Sequence, residues 1–195
     1  GGISVSLAST AWRPSPAAAM RSTPAQPDDM GPLSVDVLPR GIRSLFLNNI
    51  NGLRMHVLEA GFETPGRPGV LLVHGFPELA FSWRKVMPQL AAAGYHVIAP
   101  DLRGYGRTDG SDVTYDDDLR PFRMLNEIRD MLGLVSAFGY HQIHLIGHDF
   151  GALVASWCAV ARPDVFRSVV LMSAPFAGTT TLPFNTAGQP PESTR

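Results

Sequence analysis

The first clear hydrophobic pattern in the chain is a pair of strand-like segments at residues 45–50 and 53–60. Asn51 and Gly52 separate the two segments. Both residue types accept the positive φ angles of a two-residue turn, so Asn-Gly between two such segments is a strong hairpin signal. The pattern predicts an antiparallel hairpin at this point of the chain.

Beyond the hairpin, short apolar runs alternate with segments of helical period. The apolar runs predict strands at residues 70–73, 95–99, 143–146 and 165–172. Helical spacing predicts helices around residues 83–90, from about residue 121 to beyond residue 135, and at residues 152–161. Strands that alternate with helices build parallel βαβ units. The sequence therefore predicts an α/β protein with a mostly parallel sheet behind a leading antiparallel hairpin.

The two ends of the chain differ in composition from this central part. Residues 1–32 are rich in proline, alanine and serine and carry no acidic side chain before Asp28. Such a segment cannot build a packed core, and we expect a disordered tail over residues 1–32. The acid-free start with Arg13 and Arg21 also resembles an organelle transit peptide. We expect the folded core at residues 33–178 and a linker at residues 179–195.

Length and charge narrow the class of protein. The chain has 195 residues, 16 Lys and Arg against 17 Asp and Glu, and a formal net charge of −1, which suits one globular domain and argues against a nucleic-acid partner. Its apolar runs are too short to predict a membrane span. The single cysteine, Cys158, excludes an internal disulfide framework and is interpreted as a small buried side chain. A cytoplasmic location is the default expectation.

The strongest chemical motif is the junction at residues 147–151, where a predicted strand runs into Gly-x-Asp-x-Gly and a helix follows. This is the pattern of a nucleophile elbow with Asp149 in the place of the usual serine. The turn is so tight that side chains two residues before and after it would clash, which explains Gly147 and Gly151. The helix N-terminus that follows favours a carboxylate. The alternative interpretation is that Asp149 is simply the N-cap of the helix.

A second motif, His74-Gly75-Phe76-Pro77-Glu78, directly follows the predicted strand at residues 70–73. A loop at this position can aim the backbone N–H of Phe76 at the same point as the N–H of Phe150. Two such donors form an oxyanion hole. The alternative is a turn that only ends the strand. We interpret His74 as a packing residue of this loop, and we expect His74, Pro77 and His148 to line the substrate site.

A third motif, at residues 99–109, is rich in glycine and charge and follows the next predicted strand. We interpret it as a structural loop held by a contact between Asp101 and Arg103. The acidic run Asp116-Asp117-Asp118 is interpreted as a solvated loop or helix start, and no metal site is expected.

Together, in this order and spacing, the three motifs resemble the α/β-hydrolase family and, within it, the soluble epoxide hydrolases. The similarity covers about residues 45–175. It implies the α/β-hydrolase fold, with Asp149 as the nucleophile and the N–H groups of Phe76 and Phe150 as the oxyanion hole. The implied reaction needs no metal or organic cofactor, and its partner is a small epoxide.

The aspartate also restricts the reaction. A carboxylate suits displacement at a saturated carbon, so the candidate substrates are epoxides and alkyl halides. The implied mechanism forms an ester at Asp149, which an activated water then hydrolyses to release a diol. Haloalkane dehalogenases of the family usually place Trp after the nucleophile, and fluoroacetate dehalogenases place Arg there. Phe150 in this chain favours an epoxide, with a dehalogenase as the alternative.

The resemblance also implies parts that this chain does not supply. In the family the relay acid, the general-base histidine and two cap tyrosines follow the sixth strand, whereas no His or Tyr follows Met172 here. We therefore expect the N-terminal part of a longer hydrolase, truncated before the cap and the last strands, with residues 179–195 as a linker or the start of the cap. Residues 168–172 then form an exposed apolar edge that favours self-association. The non-enzymatic alternative is a truncated module that binds an apolar ligand or a partner.

Overall fold

The structure is a computed structural model that describes residues 30–111 and 118–174. It contains six strands: β1 (Ile42–Ile50), β2 (Leu53–Ala60), β3 (Gly69–Val73), β4 (His96–Pro100), β5 (Ile143–His148) and β6 (Phe166–Met172). The α-helices are α1 (Met87–Ala92), α2 (Met124–Ala137) and α3 (Phe150–Ala161). Short 3₁₀ helices occupy Val35–Val37, Ala80–Lys85 and Arg120–Phe122.

The strands form one sheet in the order β1-β2-β4-β3-β5-β6. β1 pairs with β2 and β2 with β4 in antiparallel fashion, while β3, β4, β5 and β6 pair in parallel. The hairpin turn falls at Asn51 and Gly52, with φ angles of 49° and 86°. These positive angles match the twist of the flanking strands. The predicted mostly parallel sheet with a leading antiparallel hairpin is confirmed.

Each face of the sheet packs against its own helices because successive strand side chains point to opposite faces. On one face, Leu71, Ile98 and Leu145 pack with apolar side chains of α2 and α3. On the other, Leu72 and Val97 pack with the 3₁₀ helix Ala80–Lys85 and with α1. The carboxyl ends of the central parallel strands are thereby held between two apolar layers.

The predicted helix around residues 83–90 differs in detail from the observed one. The segment is a 3₁₀ helix, Ala80–Lys85, followed by α1, which begins at Met87. Pro88 has no N–H group and fits only the first turn of an α-helix. This residue therefore fixes where α1 starts and keeps the preceding turn as a separate 3₁₀ segment.

In the part of the chain that the structure describes, β6 is the outermost strand at one edge of the sheet. Residues 167–170 of this strand are exposed, and Val170 retains 50% of its accessible surface. Among the described residues, the expected exposed apolar edge is therefore confirmed. No helix within the described ranges is long and apolar enough to cross a membrane.

Several predictions concern residues that the structure does not describe. Most of the predicted tail at residues 1–32, all of the predicted linker at residues 179–195, and Asp116 and Asp117 lie outside the described ranges. Asp118 lies inside them and forms a surface ion pair with Arg120. The domain boundaries stay predictions.

Candidate active site

Asp149 occupies the sharp turn between β5 and α3. Its φ angle is 53°, in the left-handed region that non-glycine residues rarely adopt. Its backbone N–H donates to the carbonyl oxygen of Met172 on β6, at 3.0 Å. Strained backbone of this kind persists only where the surroundings hold it in place, and such positions cluster at functional sites. Because the turn directly follows β5, Asp149 lies at the carboxyl end of the parallel strands.

The two glycines that flank this turn are required by close backbone approach. A Cβ atom on Gly147 would contact the backbone of Gly151 and would lie 2.7 Å from the Cα of Ala152. A Cβ on Gly151 would lie 2.5 Å from the carbonyl oxygen of His74. Since these neighbours are backbone atoms, they cannot move aside as a flexible side chain does. The expected steric reason for Gly-x-Asp-x-Gly is confirmed.

Gly75 is a third glycine with a role at this turn, which the sequence analysis missed. A Cβ atom at Gly75 would lie 2.5 Å from the Cβ of Asp149 and 2.9 Å from its Oδ1. Only a residue without a side chain lets the loop after β3 approach Asp149 so closely. The available signal was a glycine at the first turn beyond a buried strand.

The carboxylate of Asp149 is held by two backbone donors. The N–H of Phe76 donates to Oδ1 at 3.0 Å, and the N–H of Phe150 donates to the same oxygen at 2.6 Å. These two hydrogen bonds, with a smaller contribution from His148, hold the pKa of Asp149 below its usual value. The donor pair expected from the sequence is therefore brought to one point.

The two donors also bear on the alternative that Asp149 is only a helix N-cap. The bond from Phe150 is local and is consistent with that role. The bond from Phe76 comes from a loop 73 residues earlier in the chain, and capping does not require it. Asp149 is the N-cap of α3 and, in addition, the acceptor of a donor from a second loop.

His74 stabilises the loop after β3, which carries the Phe76 N–H group. It is fully buried, and its Nε2 accepts the N–H of Leu102 at 3.0 Å. Its Nδ1 therefore carries the hydrogen and donates to the carbonyl oxygen of Gly75 at 2.9 Å. Burial lowers the pKa of His74. The expected packing role agrees with this geometry, whereas a direct substrate contact does not, because the side chain has no accessible surface.

Phe76 and Pro77 lie in the same loop, and His148 precedes Asp149 at the end of β5. Phe76 is 69% exposed and Pro77 is exposed as well. His148 Nδ1 lies 3.4 Å from Glu78 Oε2, and both side chains are partly exposed. His148, Glu78, Trp83 and Met172 contribute to the lining of a cavity of about 200 Å³ beside the elbow.

The loop after β4 is structural, as expected, but the predicted contact between Asp101 and Arg103 is wrong. Arg103 instead forms a bidentate ion pair with Asp130 of α2, with its Nε at 2.8 Å from Oδ2 and its terminal nitrogen at 2.6 Å from Oδ1. Asp101 bonds to His56 of β2 at 2.8 Å. Each side chain finds a partner on a different element, which local spacing does not reveal.

Comparison with known protein families places this geometry in context. A family model described as alpha/beta hydrolase fold matches residues 68–194. The chain belongs to the α/β-hydrolase family. The expected α/β-hydrolase fold is thereby confirmed. Within the described residues, no group of three His, Cys, Asp or Glu side chains is arranged to hold a metal ion.

Several relatives of this chain are named as epoxide hydrolases. The chain is 40% identical over 130 residues to epoxide hydrolase 3 of Siraitia grosvenorii, which covers 66% of this chain and 38% of that protein. It is 41% identical over 129 residues to epoxide hydrolase A of Mycobacterium tuberculosis, again covering 66% and 38%. The chain thus spans about two fifths of the length of these relatives.

Solved structures lead to the same group. Potato (Solanum tuberosum) epoxide hydrolase I matches with a TM-score of 0.63 and 37% identity, over 70% of this chain and 41% of that one. An epoxide hydrolase from an endophytic Streptomyces matches with a TM-score of 0.63 and 40% identity, over 71% and 39%. Both the sequence and the fold therefore resemble the epoxide hydrolases of the family.

Proposed function

We propose that this protein is a hydrolase of the epoxide hydrolase type, which opens an epoxide to a diol through an ester at Asp149. The observation that carries the proposal is the carboxylate held at Oδ1 by the N–H groups of Phe76 and Phe150. The names of the relatives support the same activity. No metal or organic cofactor enters this proposal.

In the first step, Asp149 Oδ2 attacks a carbon of the epoxide ring. A new C–O bond forms, the ring C–O bond breaks, and the released alkoxide takes up a proton from solvent or an acid. The product is an ester of Asp149 whose carbonyl oxygen is Oδ1. Because the two backbone donors already contact Oδ1, they orient the carboxylate with Oδ2 free to attack.

In the second step, the oxygen of a water molecule adds to the ester carbonyl carbon, the water gives up a proton to solvent, and negative charge develops on Oδ1. The N–H groups of Phe76 and Phe150 point at this oxygen and stabilise the tetrahedral intermediate. Collapse of the intermediate breaks the ester C–O bond; the departing oxygen takes the proton of the new carboxyl group, which releases the diol and restores the carboxylate. The ester, the product of the first step, is the species that the test detects.

We place Pro77 and His148 beside the substrate in this proposal, because Pro77 is exposed next to Phe76 and His148 is partly exposed next to Asp149. Because His74 is fully buried, the role we assign to it is to stabilise the loop and not to contact the substrate. Phe150 contributes its backbone N–H group.

The test is the intact mass of the 195-residue chain after incubation with styrene oxide and, separately, with 1-bromobutane. The proposal predicts a mass increase of one whole epoxide, because ring opening has no leaving group. Asp149→Asn is the matched control and should stay unmodified. A butyl adduct with bromide release, without reaction at the epoxide, would instead support a dehalogenase. A folded chain that reacts with neither reagent would favour the non-enzymatic module.

We also propose that the exposed edge at residues 168–172 pairs with the same edge of a second chain. Among the described residues, this strand pairs only with β5, so its other edge has backbone groups without a strand partner, beside the exposed side chains of Val169 and Val170.

A cytoplasmic location stays a prediction, which fractionation of the source cells would test.

A further inference from the structure

His56 of β2 joins two polar side chains inside the protein. Its Nε2 lies 2.8 Å from Ser44 Oγ on β1, and its Nδ1 lies 2.8 Å from Asp101 Oδ2 in the loop after β4. His56 is 1% exposed and Asp101 is 2% exposed. Water therefore does not compete for these bonds, and losing either partner would leave a buried polar group without a hydrogen bond.

The bond between His56 and Asp101 has a defined direction. A carboxylate only accepts hydrogen bonds, so His56 Nδ1 carries a hydrogen and donates it to Asp101. On the other side of the ring, Ser44 Oγ contacts His56 Nε2 and also accepts the N–H of Leu33 at 2.8 Å. Burial alone would raise the pKa of Asp101, but the bonds from His56 and from two backbone N–H groups outweigh it and lower the pKa. Asp101 is therefore ionised, and its carboxylate oxygens accept the hydrogen bonds from His56 and from the two backbone N–H groups.

Asp101 in turn holds the loop that carries the Phe76 donor. Its Oδ1 accepts the N–H of Ala80, at the far end of this loop, at 2.8 Å. The near end is held by the next residue, since Leu102 N–H donates to His74 Nε2 at 3.0 Å. Both ends of the segment at residues 74–80 are thus fastened to two consecutive residues, and Phe76 lies between them.

We propose that His56 is a positioning residue, which fixes Asp101 and through it the placement of the Phe76 N–H against Asp149 Oδ1. The inference deepens the proposed function and rests on it for its catalytic meaning. Without the His56 bond, the Asp101 carboxylate keeps only its bonds from the backbone N–H groups of Ala80 and Arg107, and its side chain is held less firmly. The contact to Ala80 N–H then becomes variable, and so does the loop with the oxyanion donor.

Two substitutions distinguish the roles of the two ring nitrogens of His56. In His56→Asn the amide nitrogen lies near the place of Nδ1 and can still donate to Asp101. In His56→Gln the amide group reaches the place of Nε2, so the bond to Asp101 is lost. His144→Gln on β5, whose ring contacts Ser168 Oγ at 2.7 Å, is the matched control.

The readout is the pKa of Asp149, measured by NMR from its carboxyl carbon, together with the amide proton shift of Phe76. Circular dichroism first confirms that each variant is folded. In His56→Gln we expect the pKa of Asp149 to move up toward the ordinary value of about 3.9 and the Phe76 amide proton to move upfield. His56→Asn and His144→Gln should both stay near the parent chain. Asp101→Asn cuts the same link and should reproduce the shift if His56→Gln does not fold.

The outcomes that overturn the inference are equally defined. It is wrong if the pKa of Asp149 is unchanged in both His56→Gln and Asp101→Asn, or if His56→Asn shifts it as far as His56→Gln does. Labelling with styrene oxide is measured in parallel on the same samples. If the parent chain is not labelled but the pKa shift appears, the proposed function fails and the positioning role stands. If the parent chain is labelled and no shift appears, only the positioning role fails.

Discussion

Gly75→Ala is the substitution that most directly perturbs the geometry at Asp149. The new methyl carbon would lie 2.5 Å from Asp149 Cβ, so the two carbons must separate by about 1 Å to reach ordinary contact distance. Packed strands hold both the loop and the elbow in place. When the two separate, the distance from Phe76 N to Asp149 Oδ1 therefore increases. A bond of 3.0 Å that lengthens by this amount is no longer a hydrogen bond.

The size of the effect follows from the chemistry of the lost donor. A hydrogen bond to a charged group contributes about 2 kcal/mol, and removal of one oxyanion donor slows acyl chemistry by about 10²–10³-fold. Overpacking adds a stability cost of about 1–3 kcal/mol. We therefore expect a folded but less stable chain in which breakdown of the Asp149 ester is slower by at least about 30-fold, the equivalent of 2 kcal/mol.

The assay forms the styrene oxide ester and then adds hydroxylamine. Hydroxylamine attacks the ester carbonyl carbon, charge develops on Oδ1, and collapse leaves a hydroxamate on Asp149 and frees the diol. Mass spectrometry follows the rate of this exchange. Gly31→Ala is the matched control, since a Cβ at Gly31 meets nothing within 4 Å. If Gly75→Ala reacts as fast as the control, the Phe76 donor does not stabilise the intermediate and the reasoning is refuted.

Three further predictions concern the packing and the edge of the sheet. Burial and the nearby charge of Asp130 raise the pKa of Glu127 to about 7, so the folded state holds a proton that the unfolded state releases near pH 4.5. Stability contributed by this group is present below pH 4.5 and is lost as the pH rises to about 7. The free energy of unfolding of Glu127→Gln, measured in urea, should therefore rise by up to about 3 kcal/mol relative to that of the parent chain between pH 4.5 and pH 8. A constant difference between the two proteins over this pH range would contradict the prediction. Burial raises the pKa of Cys158 to about 12, so dithionitrobenzoate should react with it only after unfolding; fast reaction in buffer would show that the thiol is accessible. Val170→Lys should lower any concentration-dependent association in sedimentation, and an unchanged association constant would place the contact elsewhere.

The features that the sequence predicts well are local ones. The hairpin depends on Asn51 and Gly52, and the elbow depends on glycines within two residues of Asp149. Strand and helix order follows from the change of hydrophobic period. Each of these signals is complete within a few neighbouring positions, and the structure and the family comparison confirm them.

The features that the sequence does not predict depend on partners far apart in the chain. Arg103 pairs with Asp130 rather than with Asp101, because α2 brings a buried carboxylate over the loop. Asp101 bonds to His56, which lies 45 residues earlier. Gly75 matters only because the loop after β3 meets Asp149, 74 positions later, and the motif alone does not state that distance. The pattern of apolar positions contains no information about which polar side chains meet.

The central claim, that Asp149 is a nucleophile for epoxides, is tested most directly by locating the adduct. The chain is incubated with styrene oxide, digested, and sequenced by tandem mass spectrometry, with Asp149→Asn treated in parallel. The account predicts one ester on Asp149 in the parent chain and none in the variant. Equal labelling of Asp149→Asn, an adduct on a histidine or Cys158 alone, or a folded parent chain without any adduct would contradict it.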